Sequence, residues 1–160
     1  MRKRKWFFFD GIGYNEVMIQ KMMERLKAED LSLYSIGPDG EYTSRASGIF
    51  PVLDPMRRDR FFFKDCLVAD KLIGKASGIL LIYSSVKEVY GIVMSKNAVE
   101  LFEHYGIPYH YDTLVERIVN RRGDDLCPME KTVADIDDPE EGYEALKKRL
   151  SELSKGAFNG

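Results

Sequence analysis

The sequence predicts an α/β domain, a mixed β-sheet flanked by helices, and three observations predict it. A hairpin signal, Gly37-Pro38-Asp39-Gly40, separates a short strand over residues 31–36 from a returning strand over 41–44. A strand-helix-strand pattern between Val86 and Tyr111 implies a parallel pair joined by a right-handed crossover. The chain of 160 residues has 44% hydrophobic and 31% charged residues, enough for one domain to bury a core without staples.

The elements follow in order. From Asn15 to Lys27, apolar Val17, Met18, Met22 and Leu26 recur at helical spacing, so a helix opens the fold. The hairpin strands come next. Asp54-Pro55 pairs a capping residue with a proline suited to a first helical position, which predicts a short helix carrying Met56 and Phe61-Phe62-Phe63. Leu67 to Tyr83 reads as one central helix with an apolar stripe of Val68, Leu72, Ala76, Ile79 and Leu80. Gly74 and Gly78 lie inside it; each disfavours a helix by about 1 kcal/mol against alanine, which suggests a close approach by another backbone or a ligand.

Val86 to Met94 reads as a buried strand. Ser95 caps a helix from Lys96 to Tyr105, which Gly106 ends in a left-handed conformation. Ile107 to Tyr111 is the next strand and Thr113 to Asn120 a further helix, followed by a loop over 121–125. Cys127-Pro128 opens a turn or short helix. Asp138-Pro139-Glu140-Glu141 starts a C-terminal helix with Tyr143, Leu146, Leu150 and Leu153 on one face, ended by Gly156.

Composition excludes several function classes. A net charge of −2 argues against a nucleic-acid footprint over the domain. Only Arg2-Lys3-Arg4-Lys5 is locally basic, and Trp6-Phe7-Phe8-Phe9 is too short for a signal peptide or a membrane span. Residues 1–13 therefore read as a flexible or edge-packed tail, with contact to a nucleic acid or a membrane surface as the alternative. Two cysteines without an export signal, Cys66 and Cys127, fit free thiols in the cytoplasm. With only His104 and His110 beside them, a four-ligand zinc site would need nearly all four from scattered positions, and no cofactor is expected.

The candidate site residues each carry two readings. Lys71 and Lys75, one turn apart on the expected helix, either hold an anion such as a phosphate or form a solvated face. Asp70 is a general base, a ribose-hydroxyl acceptor or an ion-pair partner. Ser95, where a buried strand meets a helix, either marks a ligand crevice or simply caps the helix. Asn120 and Arg121, with Arg122, either fork onto an anion or offset a helix dipole. Cys127 is a nucleophile, a redox-sensitive thiol or a small buried hydrophobe, and Glu130 shares its face if the segment is helical.

Several of these pieces together resemble a small uncharacterised bacterial family of the cytidine-deaminase-like superfamily. They are Gly48-Ile49 with Pro51 and Leu53, Val68-Ala69-Asp70-Lys71 with Gly74-Lys75-Ala76, Glu88-Val89-Tyr90, Gly106-Ile107, Asn120-Arg121, and Cys127-Pro128-Met129-Glu130. The resemblance spans about residues 31–133 and implies a three-layer α/β/α sandwich on a mixed sheet, in a protein that self-associates. Deaminases of that superfamily hold zinc with a His or Cys at one helix start and Pro-Cys-x-x-Cys at the next, with a glutamate moving protons. This chain offers Ala69-Asp70-Lys71 and Ser95-Lys96-Asn97-Ala98 instead, so zinc-activated water is not expected. The expectation is a cytoplasmic protein that binds a small anionic, nucleotide-like ligand at Asp70, Lys71, Lys75, Ser95, Asn120, Arg121, Cys127 and Glu130. As an enzyme it would be a metal-independent hydrolase or transferase, with Asp70 or Glu130 as acid/base. The rival is a non-catalytic regulatory or partner-binding scaffold.

Overall fold

The computed structural model describes residues 12–159, with side chains over 16–154. The basic and aromatic stretch Arg2–Phe9 lies outside the described residues. Five strands form one sheet in the order β2-β1-β3-β4-β5. Helix α1 (Ile12–Ala28) precedes the hairpin β1 (Leu33–Gly37) and β2 (Gly40–Ser44). Helix α2 (Phe50–Met56) leads to β3 (Leu67–Ile73), α3 (Lys75–Tyr83), β4 (Glu88–Ser95), α4 (Lys96–Tyr105) and β5 (Tyr109–Val115). Short α5 (Pro128–Val133) and long α6 (Pro139–Asn159) complete the order. The architecture is α/β, with a mixed sheet and six helices.

The hairpin closes as its turn residues dictate. Gly37 pairs with Gly40, and Gly40 has a φ of 121°, a conformation that favours glycine. Strand β1 then runs antiparallel to β3, whereas β3, β4 and β5 are mutually parallel.

Each face of the sheet has its own core. Ile19, Met22, Met23 and Leu26 of α1 pack on Tyr34, Leu67, Ala69 and Tyr90. The other five helices pack over Leu33, Val68, Val89, Met94 and Tyr109. Helix α3 is their hub, buried from Lys75 to Leu81. Ser95 caps α4 by accepting from the Ala98 amide at 3.3 Å, and Gly106 ends it with a φ of 69°. Among the described residues, no helix is long and apolar enough to cross a membrane.

Four expectations are corrected. The stretch from Leu67 to Tyr83 is a strand, a glycine and a helix. Strand β3 lies between β1 and β4 and is covered by helices on both sides over Leu67–Ala69, so that part is apolar on both faces and lacks the alternation that marks a half-exposed strand. Ala69-Asp70-Lys71 is therefore in a strand, and Lys71 and Lys75 share no helix face. Residues 113–115 do not begin a helix: Thr113, Leu114 and Val115 extend β5 beside Val93, Met94 and Ser95. Val119 then bridges to Leu126. Helix α2 starts at Phe50, with Pro51 in its first turn and Pro55 inside it, while Phe61-Phe62-Phe63 lies in the turns beyond. Pro55 cannot donate to the Pro51 carbonyl, and the Tyr42 hydroxyl donates there instead at 2.8 Å. Gly156 does not stop α6, which runs to Asn159.

The contact between α3 and α6 allows a stability test. A Cβ added at Gly142 would sit 2.4 Å from Cγ2 of buried Ile79, a β-branched side chain with little rotamer freedom in a helix. Alanine gains about 1 kcal/mol in helix propensity, but overpacking costs about 1–3 kcal/mol. Gly142→Ala is therefore expected to lower the urea midpoint; a raised midpoint would show that the two helices can separate freely.

Candidate functional site

A cleft of about 140 Å³ opens where the chain leaves the carboxyl end of β3 and enters α3. Ser47, Gly48 and Ile49, just before α2, form one wall. Asp70, Lys71 and Leu72 form a second, with Gly74, Ala76 and Ser77 of the following turn and helix. Ile118, Cys127, Met129 and Glu130 close the other side. The backbone dictates much of this shape. Gly48 has a φ of 63°, and the Cys127 amide donates to the Ile118 carbonyl at 3.1 Å, which brings the start of α5 to the cleft.

Glu130 joins the walls. Helix α3 begins after Gly74, which has no side chain to cap it, so its first amides need another acceptor. Glu130 supplies it: Oε1 accepts from the Lys75 amide at 2.9 Å and Oε2 from the Ala76 amide at 2.7 Å. The carboxylate also lies at the positive end of the helix dipole. Burial pushes the Glu130 carboxyl up, while the two amides and the Lys75 charge pull it down. Gly74 is required here, because a Cβ would lie 2.5 Å from Oε1.

Asp70 is the second carboxyl, and only 6% of it is exposed. Its Oδ1 accepts from the Leu72 amide at 3.0 Å. Among the described residues it forms no ion pair. Burial therefore dominates and pushes its pKa up to about 7, with the Leu72 and Lys71 amides opposing.

The remaining expected residues divide. Lys71 sits at the cleft rim, its ammonium paired with exposed Asp30, whose carboxyl it holds below the usual range. That pair is exposed and worth little. Cys127 lines the cleft, half-buried, as the residue before α5. Lys75 contributes its amide but not its charge: its Nζ donates to the Ala134 carbonyl at 3.1 Å and pairs with Asp137 at 2.8 Å, in a separate depression beside Asn97 and His104. Ser95 is buried as the cap of α4, away from the cleft. Asn120 donates to Asp124 at 2.9 Å and accepts from its amide, and Arg121 is exposed in the same loop; neither lines the cleft.

Sequence reasoning missed Ser47, Gly48 and Ser77, for which a Ser-Gly pair before a helix was the one available signal. His110 is buried under α1's face of the sheet, 3.1 Å from Glu88. Among the described residues, no three His, Cys, Asp or Glu side chains gather closely enough to hold a metal ion.

Asp70 makes stability depend on pH. Its folded pKa of about 7 exceeds the unfolded value near 3.8, so the folded state holds the proton more tightly. The stabilisation is full below about pH 4 and is lost as pH rises through 7; Glu130 adds the same sign. Asp70→Asn removes the buried charge and is expected to be more stable than wild type at pH 8, by up to about 4 kcal/mol. Urea unfolding from pH 5 to 8 measures this, and equal stabilities at pH 8 would contradict the burial of an unpaired carboxyl.

Glu130→Ala leaves two helix amides without an acceptor. It is expected to destabilise by about 2–4 kcal/mol, with Glu130→Gln in between because one acceptor oxygen remains. Identical unfolding midpoints for Ala and Gln would count against the cap.

Comparison with known proteins places this architecture. No curated protein matches the chain. The crystal structure of a DUF1893 family protein (TM1506) from Thermotoga maritima matches with a TM-score of 0.75 and 27% identity, over 94% of this chain and 96% of that one. Residues 21–150 match the family model described as TM1506, a domain of unknown function (DUF1893), and the chain belongs to that family.

Proposed function

We propose that the protein binds a small nucleotide-like ligand whose ring enters the cleft, with Asp70 as the group that exchanges a proton with it. One observation carries this reading: a buried carboxyl with no ion pair, half-ionised near neutral pH, faces an otherwise mainly apolar cleft. Such a group holds and releases a proton at physiological pH, and positioned acid/base groups of this kind contribute about 10²–10⁴ in rate. A dry cavity of about 150 Å³ accepts one benzene ring, so a cleft of about 140 Å³ suits a single ring and leaves the rest of a nucleotide outside. Lys71, in a weak exposed pair, is available at the rim for a phosphate. Cys127 and Glu130 complete the site, Cys127 at its wall and Glu130 as the residue that positions α3.

The reading extends to the deaminase-like sandwich. The strand order and a cleft at the starts of α2 and α3 support it. Zinc does not fit this cleft. The helix starts read Ile49-Phe50-Pro51 and Gly74-Lys75-Ala76, without imidazole or thiolate, and Glu130 already accepts two amides. The chemistry we assign is therefore metal-independent proton transfer, in a cytoplasmic protein with Cys66 and Cys127 as free thiols.

A partner-binding scaffold is the second reading, favoured by Phe61 and Phe62, which are 45% and 37% exposed side by side. If it holds, sedimentation should show self-association that Phe61→Ser weakens.

A thermal-shift panel of nucleobases, nucleosides and their monophosphates tests the first reading. A ligand at 100 times its Kd stabilises by about 2.7 kcal/mol, roughly 5–10 °C for a domain of this size. We expect at least one pyrimidine-sized ligand to reach that shift and Asp70→Asn to weaken it tenfold or more. No shift from any member would overturn the ligand reading.

A further inference from the structure

The charges inside the cleft are one-sided. Two carboxyl groups line it. The one cation among the described residues lining it, Lys71, sits at the rim in a weak pair with exposed Asp30, while Lys75 and Arg121 place their charges outside. Lys75 turns to Asp137 and the Ala134 carbonyl, and Arg121 is absent from the lining. The two carboxyls are not equivalent. Both oxygens of Glu130 already accept a helix amide, so its charge faces the positive end of α3. Asp70 accepts the Leu72 amide on Oδ1, and the Lys71 amide also lowers its pKa. A carboxylate has roughly four acceptor positions, so about half of its capacity remains.

Three kinds of ring can be compared against this arrangement. An anionic ring would bring a further negative charge into a low-dielectric space that already holds two carboxyls. A plain hydrocarbon ring would satisfy the apolar walls of Ile49, Leu72, Ile118 and Met129 but seal Asp70 from water without a partner. A planar ring bearing N–H donors and a positive charge satisfies both, because two parallel N–H groups can donate to one carboxylate.

Resting on the proposed ligand reading, we infer that the part of the ligand entering the cleft is a planar, donor-bearing cation, an amidinium or a protonated amino-substituted nitrogen heterocycle, held by the Asp70 carboxylate. Any anionic group of the same molecule stays outside, at the Lys71 rim. This replaces an anion-recognising interior with a cation-recognising one.

Other groups near Asp70 do not reverse the expected pH dependence. From β3 itself, Lys71 pairs with exposed Asp30 at the rim. From α5, Glu130 gains negative charge as pH rises, in the same sense as Asp70, and the Cys127 thiol faces the cleft. Helix α3 and the segment before α2 contribute only the hydroxyls of Ser77 and Ser47.

The test uses the full chain and three probes of similar shape, benzamidine, benzoate and benzyl alcohol, read by amide chemical shifts at Leu72 and Ala76. Benzamidine remains protonated from pH 6 to 8. Asp70, with a pKa of about 7, is roughly one-tenth ionised at pH 6 and nine-tenths at pH 8. Benzamidine is expected to bind about tenfold more tightly at pH 8 than at pH 6, benzoate not at all, and Asp70→Asn to abolish both the binding and its pH dependence.

Benzoate or benzyl alcohol binding at Leu72 and Ala76 more tightly than benzamidine would overturn the charge assignment while leaving a ligand cleft in place. Benzamidine binding equally well to Asp70→Asn would also overturn it. Failure of all three probes would overturn it too, and the nucleobase panel would then decide the ligand reading separately.

Discussion

The contact on which the rest of the site depends is the pair of hydrogen bonds from the first amides of α3 to Glu130. Helix α3 is buried almost all round, and its start follows a glycine, so nothing local satisfies those amides. The acceptor comes from more than fifty residues later in the chain. Because it does, α5 is fixed against α3, the 118–127 segment is drawn over the end of β3, and the cleft acquires its second side. Gly74 is the counterpart of that contact, since a side chain there would occupy the space of Oε1. The same two atoms therefore cap a core helix and define a wall of the candidate site.

Asp70 runs against the logic of the core. A buried carboxyl without a cation destabilises the fold at neutral pH, and the hydrogen bond from Leu72 offsets only part of that. An asparagine of nearly the same shape would avoid the charge. A carboxyl placed where the structure disfavours its charge costs stability, and perturbed groups of this kind cluster at functional sites. Glu130 is the contrasting case: it is equally buried, yet its two amide partners explain it without invoking function. Two carboxyls lining one cleft thus carry different roles, and their hydrogen bonds tell them apart.

Much of this was legible in the sequence where a local signal had a local cause. The hairpin turn, the Ser95 cap, the Gly106 stop and the Asp138 cap appear as read, because each satisfies its own neighbouring backbone groups. The stretch Leu67–Ile73 failed for a physical reason. A central parallel strand is apolar on both faces, and a short apolar run does not show whether its period is 2 or 3.6. Misreading it displaced the lysines, because a helix would have set Lys71 and Lys75 on one face, whereas a strand followed by a turn sends them to different partners. Asp70, Cys127 and Glu130 were named from composition and motif, but their meeting depends on a tertiary contact that no spacing encodes. Ser95, read as either a ligand contact or a cap, caps its own helix, and Asn120, read as either an anion contact or a helix-end residue, bonds within its own loop.

The sheet explains why these particular segments converge. Strand β1 runs antiparallel to β3 while β4 runs parallel to it, so β3 joins the hairpin to the parallel part of the sheet. The cleft lies outside the carboxyl end of β3, the end of the strands at which open α/β sheets place ligands. Here the crevice is bounded by the segment entering α2, the turn entering α3 and the residues entering α5. The first two are positioned by the backbone of the fold itself, whereas the third is held by Glu130 together with the Cys127–Ile118 backbone bond, the Lys75 bond to the Ala134 carbonyl and the buried Met129 and Val133. Asp70, on the central strand, lies where these three segments meet.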